Sequence, residues 1–395
     1  MPPYAVISAD GHLETPPDGW LRHLPAAYRE LAPRLVRLPE GGEAWIVEGL
    51  PLVHNGQNLA AGRALKVKGA SYWEPDGRPA PGTGPATQRL REQDADGIDA
   101  EVLYPPVFIG KLIEGISDRR AYLAMVRAYN DFLAEYCAVA PDRLIGTAVM
   151  PITGLDDALA ELRRVRELGL RATSLGMFPH GGGQPDPADD RFWEATLALG
   201  VRVAAHVSFG GRERLNPLLV ASATARFDLV TAMVSRTIPG PPALIATMVA
   251  SGVFDRLPAL EIYLAETNAG WMPEAFYMMD DSYALFREWY GGRLTMRPSE
   301  YAARHFYFGI VRDPVALRLR DLLPADRLMW GSDFPHSVGS FPESRTWLDT
   351  IFAGVPDSMR RRILVENPCR FFGLDQDRAL TPTSSDGTAS ARTAS

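Results

Sequence analysis

Short runs of apolar, often β-branched residues alternate with helical patterns along most of the chain, and this alternation limits the possible folds more than any other feature. Such alternation is typical of βα units wound around a parallel sheet. The helical patterns lie at Thr87 to Asp96, Arg119 to Ala140, Leu155 to Leu168 and Asp190 to Leu199. The strand candidates are Tyr4 to Asp10, Ala100 to Tyr104, Leu144 to Met150, Thr173 to Met177, Arg202 to Ala205, Glu261 to Ala265, Phe306 to Gly309 and Arg327 to Trp330. Together they predict an α/β fold of the (β/α)8 TIM-barrel type.

The chain of 395 residues is longer than the roughly 250 residues of one such barrel and too short for two. We therefore predict one barrel domain over residues 1–375. Residues from about 35 to 84 are rich in Gly and Pro, with short apolar runs at Ala44 to Val47 and Lys66 to Val67. This stretch predicts a small β insertion after the first strand. Residues 376–395 are mostly small or polar and predict a disordered tail.

The composition is typical of a globular protein and favours a small-molecule substrate. Apolar residues make up 46% of the chain and charged residues 23%, as in proteins that bury a large core. A net charge of -7 gives no general attraction to nucleic acid or to an anionic membrane. The only cysteines, Cys137 and Cys369, are too few for a disulfide scaffold or a thiolate metal site. With no signal peptide or membrane span evident, we expect a cytoplasmic protein.

Four residues at strand ends are candidate metal ligands. Asp10 and His12 are two positions apart in an extended segment, so their side chains point to the same side. His206 follows the strand that ends at Ala205, and Asp333 follows the last strand candidate. Alone, each is open to a simpler reading as a capping or hydrogen-bonded residue. All four fall at carboxyl ends of strands, where barrel enzymes build their sites, so we predict one divalent transition metal ion, namely Zn, Fe(II) or Mn.

Other polar residues on the same side of the barrel are candidates for catalysis. Glu266 ends the sixth strand candidate, and His336 follows Asp333. Each is a candidate proton donor or acceptor, although Glu266 could equally be a salt-bridged structural carboxylate. The candidate substrate contacts are His180, Phe209, Arg212 and Trp271. Basic residues at Arg63, Lys66, Lys68, Arg212 and Arg214 would suit an anionic substrate such as a carboxylate or a coenzyme A ester.

Several motifs resemble the amidohydrolase superfamily, in the branch that includes aminocarboxymuconate semialdehyde and γ-resorcylate decarboxylases. The resemblance covers roughly Tyr4 to Leu374. Its most specific element is Gly331-Ser332-Asp333-Phe334-Pro335-His336. The supporting elements are Asp96-Gly97-Ile98-Asp99, Asn130-Asp131-Phe132, Pro141-Asp142-Arg143-Leu144, Gly270-Trp271-Met272-Pro273 and Glu366-Asn367-Pro368-Cys369-Arg370-Phe371-Phe372-Gly373.

The chain departs from the pattern of this superfamily at two positions. The resemblance implies two histidines on the first strand, but Asp10 replaces the first of them. It also implies a histidine after the sixth strand, where this chain has Glu266. A lysine that would bridge two metals is not evident near Gly176 to His180, so one metal ion is expected.

The resemblance and the ligands leave three functions open. The main expectation is a metal-dependent hydrolase that uses activated water to cleave an amide, ester or thioester, possibly of an acyl-CoA. The absence of a histidine after the sixth strand favours this expectation. The alternative is a metal-dependent non-oxidative decarboxylase of an aromatic or unsaturated acid, and a non-catalytic binding barrel is a third. Helical patterns between Ser208 and Leu257 could form the interface of a homodimer.

Overall fold

The computed structural model describes residues 4–15, 18–39, 41–48, 53–54, 58–64, 69–106, 113–207, 209–210 and 240–377. In chain order its strands are β1 Ile7–His12, β2 Arg34–Arg37, β3 Glu43–Ile46, β4 Val53–His54, β5 Ala100–Tyr104, β6 Leu144–Val149, β7 Ala172–Ser174, β8 Arg202–His206, β9 Ile262–Ala265, β10 Phe306–Ile310 and β11 Leu328–Trp330. Strand β1 and strands β5 to β11 are parallel neighbours in that order in one sheet of eight. The predicted TIM barrel is thus confirmed.

Helices separate the barrel strands. They are α1 Asp18–Leu21, α2 Ala86–Asp96, α3 Arg119–Ala138, α4 Leu155–Glu167, α5 Asp190–Leu199, α6 Gly240–Ala250, α7 Val253–Arg256, α8 Met272–Tyr290, α9 Pro298–His305, α10 Pro314–Arg318, α11 Ser344–Ile351, α12 Asp357–Arg361 and α13 Asn367–Phe372. Short 3-10 turns lie at Ala26–Leu31, Ile113–Gly115, Pro187–Asp189, Arg320–Leu322 and Ala325–Arg327, and a π-helical turn lies at Arg362–Glu366. Among the described residues, none of these helices has the length and apolar content needed to cross a bilayer.

Two strand predictions need correction. The first strand starts later than Tyr4, because the backbone amides of Ala5 and Val6 are held by the Asp99 side chain instead of a neighbouring strand. It extends to His12 because the His12 amide donates to the carbonyl of Phe334. The predicted strand from Thr173 to Met177 is shorter and ends at Ser174, just before the chain turns into the β7–α5 loop.

The barrel closes between β1 and the segment that follows β11. The amide of Asp333 donates to the carbonyl of Asp10 at 2.9 Å, and the amide of His12 donates to the carbonyl of Phe334 at 2.7 Å. A side chain at Gly331 would place its Cβ 2.3 Å from Cβ of Asp10, so this approach requires glycine. Candidate metal ligands therefore lie on both sides of the closure.

The predicted β insertion after the first barrel strand forms a small antiparallel sheet in the order β2, β3, β4. The Trp45 indole donates to the Tyr72 hydroxyl at 3.0 Å, and both rings are buried. The amide of Ala61 donates to the carbonyl of Pro335, which attaches the insertion to the loop after β11. The apolar run from Lys66 to Val67 and nearly all of the predicted tail lie outside the described residues.

Candidate metal centre

The four candidate ligands from opposite parts of the chain meet at the carboxyl ends of the barrel strands. Ligand atoms of Asp10, His12, His206 and Asp333 all lie within 4.8 Å of one another. Nε2 of His12 lies 3.1 Å from Nε2 of His206 and 3.2 Å from Oδ1 of Asp333. Asp10 and Asp333 are fully buried, and His12 is nearly so. The structure thus brings the four predicted ligands into one cluster.

The chemistry of this cluster fits a single cation. Both carboxylate oxygens of Asp10 are buried and accept no hydrogen bond from the described residues. The nearest imidazole nitrogens, on His12 and His206, lie 3.7 and 3.8 Å from Oδ1 of Asp10, beyond hydrogen-bond distance. A buried carboxylate without a partner is costly unless a cation neutralises it. Two imidazoles and two carboxylates are ligands suited to Zn, Fe(II) or Mn.

The local backbone shapes this end of the barrel. Four non-glycine residues just beyond strand ends have positive φ angles: Val207, Glu266, Asn268 and Asp333. This conformation is unusual, above all for a β-branched residue such as Val207, and it is characteristic of functional sites. The Ser8 hydroxyl accepts from the amide of Ser332 at 2.9 Å, which fixes the loop that carries Asp333 against β1.

His336 bridges two carboxylates beside the cluster. Its Nδ1 lies 3.1 Å from Oδ1 of Asp333, and its Nε2 lies 3.3 Å from Oε1 of Glu14. Its ring stacks on that of His12 at a centroid distance of 3.7 Å. Although burial opposes the charge, Asp333 and Glu14 raise the pKa of His336 to about 10. Although burial also opposes ionisation of Asp333, His336 and His12 hold the pKa of Asp333 below its usual range.

Our sequence prediction missed Glu14. The signal was present, since Asp10, His12 and Glu14 alternate at every second position and so share one side of an extended segment. Glu266 was predicted, and its Oε2 lies 3.4 Å from Nε2 of His206. Glu14 therefore lies beside His336, and Glu266 lies beside His206.

A buried ion pair contacts the backbone next to the candidate ligand Asp333. The guanidinium of Arg89 on α2 donates to both carboxylate oxygens of Glu101 on β5, at 2.7 and 2.8 Å. The same guanidinium donates to the carbonyl of Phe334 at 3.1 Å and lies over the ring of Phe334. A Cβ on Gly11 would lie 2.0 Å from Oε1 of Glu101, so the pair also requires glycine at that position. The sequence gives no sign of this pairing.

The predicted substrate contacts lie in different surroundings. His180 is partly exposed, and its Nδ1 lies 3.0 Å from the Asp189 carboxylate. Phe209 is buried against Phe178, with ring centroids 5.0 Å apart. The Trp271 indole donates to the carbonyl of Thr267 at 3.0 Å. Arg212 lies outside the described residues.

Metal binding should become tighter as the pH rises. Burial raises the pKa of Asp10 well above its usual range, with Asp333 and Glu266 adding to the effect. Asp10 thus keeps its proton to a higher pH in the metal-free protein, whereas a ligand must be the carboxylate. Burial and His336 lower the pKa of His12, which favours the neutral imidazole that ligates.

Calorimetric titration of the metal-free protein with Mn²⁺ checks this prediction. We expect the apparent affinity to rise from acidic to neutral pH, with proton release that shows as a dependence on the ionisation enthalpy of the buffer. Affinity that is the same throughout this range, with no proton release, would contradict the prediction.

The chain forms an eight-stranded parallel barrel, and candidate nitrogen and oxygen ligands cluster at the carboxyl ends of its strands. This arrangement is typical of metal-dependent enzymes with a TIM-barrel fold. A family model described as Amidohydrolase matches residues 87–374. The chain belongs to this amidohydrolase family, as the sequence motifs predict.

Three known proteins illustrate the similarity. The chain is 24% identical over 328 residues to 2-amino-3-carboxymuconate-6-semialdehyde decarboxylase from Dictyostelium discoideum, covering 81% of this chain and 82% of that protein. It is 26% identical over 311 residues to γ-resorcylate decarboxylase from a Rhizobium species, covering 73% and 86%. A crystal structure of dihydroxybenzoic acid decarboxylase from a Polaromonas species, with bound manganese and the inhibitor 2-nitroresorcinol, superposes with a TM-score of 0.58. That structure is 24% identical and covers 75% of this chain and 88% of its own.

Proposed function

We propose that the protein is a metal-dependent non-oxidative decarboxylase of an aromatic or unsaturated carboxylic acid. The observation that carries this proposal is the buried ligand cluster with a His336 bridge between Glu14 and Asp333, because it joins a cation site to a local source of protons. The two sequence relatives described above both cover most of this chain, and both are decarboxylases. They favour the alternative expectation from the sequence over hydrolysis.

The residues suited to hold the ion are Asp10, His12, His206 and Asp333. A divalent ion bound there would hold the substrate carboxylate with a neighbouring oxygen and stabilise negative charge that develops during cleavage. Manganese is the first ion to test, because the Polaromonas decarboxylase binds it.

In the reaction, the bond between the carboxylate carbon and the neighbouring carbon breaks, and carbon dioxide leaves without any change of oxidation state at the protein. The electron pair stays on the remaining carbon, which then takes a proton. Asp333 and His336 are 3.1 Å apart and form the pair that supplies this proton. The exchange of a proton within such a pair needs no movement of the backbone.

Glu266 has a supporting role in the proposal. Its carboxylate lies beside His206 and is partly exposed, whereas Asp10 and Asp333 are fully buried. A carboxylate at this place would orient the His206 imidazole for metal binding. Trp271, Phe209, His180 and Arg212 stay predicted substrate contacts.

Three wider expectations also stay predictions. They are the division into one barrel domain over residues 1–375 and a tail, the homodimer, and the cytoplasmic location.

A panel of aromatic and unsaturated acids, assayed for carbon dioxide release, tests the proposed function. We expect the Mn²⁺-loaded protein to decarboxylate at least one acid, and chelation to abolish the activity, because the cation holds the departing carboxylate. A parallel panel of amides, esters and thioesters is the control for hydrolysis. Hydrolysis without carbon dioxide release would overturn the proposal. Purified protein that binds no transition metal, with activity insensitive to chelators, would exclude the metal-dependent reaction altogether.

A further inference from the structure

Glu14 is a buried carboxylate that the four-ligand cluster does not use. It is fully buried and lies just beyond the end of β1, on the side of the chain that carries Asp10 and His12. Among the described residues, the hydrogen-bond partner of its carboxylate is His336, at 3.3 Å. The burial of a charged group without such a partner would be strongly unfavourable. Its position therefore depends on the His336 ring.

The backbone around Glu14 is fixed by other contacts. The amide of Leu13 donates to the carbonyl of Tyr104 at 2.9 Å, and the Leu13 side chain is fully buried. The local chain path therefore does not require the Glu14 carboxylate. The Glu14 side chain can therefore contribute to the site instead of to the backbone fold.

The His336 ring is held on three sides. Glu14 faces its Nε2, Asp333 faces its Nδ1, and the His12 ring stacks on its face with an angle of 21° between the ring planes. An ionised carboxylate accepts hydrogen bonds and donates none. Each ring nitrogen of His336 therefore faces a hydrogen-bond acceptor. Removal of Glu14 would take away one of these three constraints and leave Nε2 of His336 without its acceptor, which loosens the orientation of the ring toward Asp333.

We propose that Glu14 is a positioning residue that acts through His336 to hold the Asp333 carboxylate in the orientation needed to bind the metal ion and to exchange a proton with the substrate carbon. This inference rests on the proposed metal site and deepens the proposed function. Residues outside the ligand set that orient ligands in this way typically change metal affinity or activity by about 10–100-fold when mutated.

A double-mutant cycle on Mn²⁺ binding to the metal-free full-length protein tests the proposal without any substrate. We expect Glu14→Ala to weaken binding by about 10–100-fold. We expect Glu14→Gln, which keeps an acceptor oxygen, to retain most of the affinity. His336→Ala should weaken binding as well, and the addition of Glu14→Ala to His336→Ala should change little, because Glu14 acts through that ring.

Glu161→Ala is the matched control. Glu161 is also buried and hydrogen-bonded, to Asn130 and Arg164, but it lies on α4 in the outer helical layer. We expect it to lower stability without a selective loss of Mn²⁺ affinity. An equal loss in the control would mean that the effect of Glu14→Ala is general destabilisation and would overturn the proposal.

Other outcomes are equally informative. Wild-type affinity in Glu14→Ala, additive losses in the cycle, or equal losses in Glu14→Gln and Glu14→Ala would each overturn the positioning role. If His336→Ala binds no Mn²⁺, the contrast between the two Glu14 variants decides. In active enzyme saturated with Mn²⁺, Glu14→Ala should lower kcat with little change in KM. Coupling in the cycle without any decarboxylation by the wild type would refute the proposed function and leave intact only the role of Glu14 in metal binding.

Discussion

Replacement of Asp333 by Asn should leave the barrel folded and lower the proposed decarboxylation rate by at least about 10³-fold, since we propose that the residue serves both metal binding and proton transfer. The amide nearly matches the carboxylate in shape, and the backbone amide of Asp333 keeps its hydrogen bond to Asp10. The substitution removes the negative charge that faces His12 and His336. We expect the Mn²⁺ content to fall together with the rate, with an unchanged circular dichroism spectrum.

Asp349→Asn provides the control for this variant. Asp349 is an exposed residue of α11 that pairs with Arg360, so the same chemical change there should leave rate and metal content unaltered. An Asp333→Asn protein that keeps full activity would remove Asp333 from the mechanism.

The largest effect on stability is expected for Arg89→Met. This change leaves Glu101 buried without its cation, and breaking a buried ion pair in this way costs about 3–5 kcal/mol of unfolding free energy. It also removes the hydrogen bond to the Phe334 carbonyl, next to the proposed metal ligand Asp333. Chemical denaturation should therefore show lower stability, and Mn²⁺ titration should show weaker binding.

The double variant Arg89→Met with Glu101→Met separates these two effects. Replacement of both partners by apolar side chains avoids the unpaired charge, so most of the stability should return. Mn²⁺ affinity should stay reduced, because the contact with Phe334 is still absent. A double variant that is no more stable than Arg89→Met alone would show that the ion pair is not the source of the loss.

The barrel could be predicted from the sequence because most of its strands are short, largely apolar runs that are buried. Strand Ala100–Tyr104 has the predicted bounds, since every residue in it is buried. The first strand was displaced by several residues, because its limits depend on hydrogen bonds to Asp99 and Phe334 that lie far away in the chain. Local apolar patterns do not contain such pairings.

The site was predictable only in part, for a similar reason. Asp10, His12, His206 and Asp333 lie at or just beyond the carboxyl ends of strands, and the topology of a parallel barrel brings such positions together. Glu14 and the Arg89 pair were missed, since their partners are set by the register between distant segments. The ligands alone could not distinguish hydrolysis from decarboxylation, because one set of ligands supports both reactions.

The closure of the barrel by the first and last strands has a consequence for biosynthesis. Asp10 and His12 belong to the first strand of the barrel and so leave the ribosome before the other seven strands, but Asp333 follows only after the last of them. A nascent chain therefore carries an incomplete set of candidate ligands until all eight barrel strands have been synthesised. Only a chain in which the first and last strands of the barrel have met can offer all four candidate ligands to one ion.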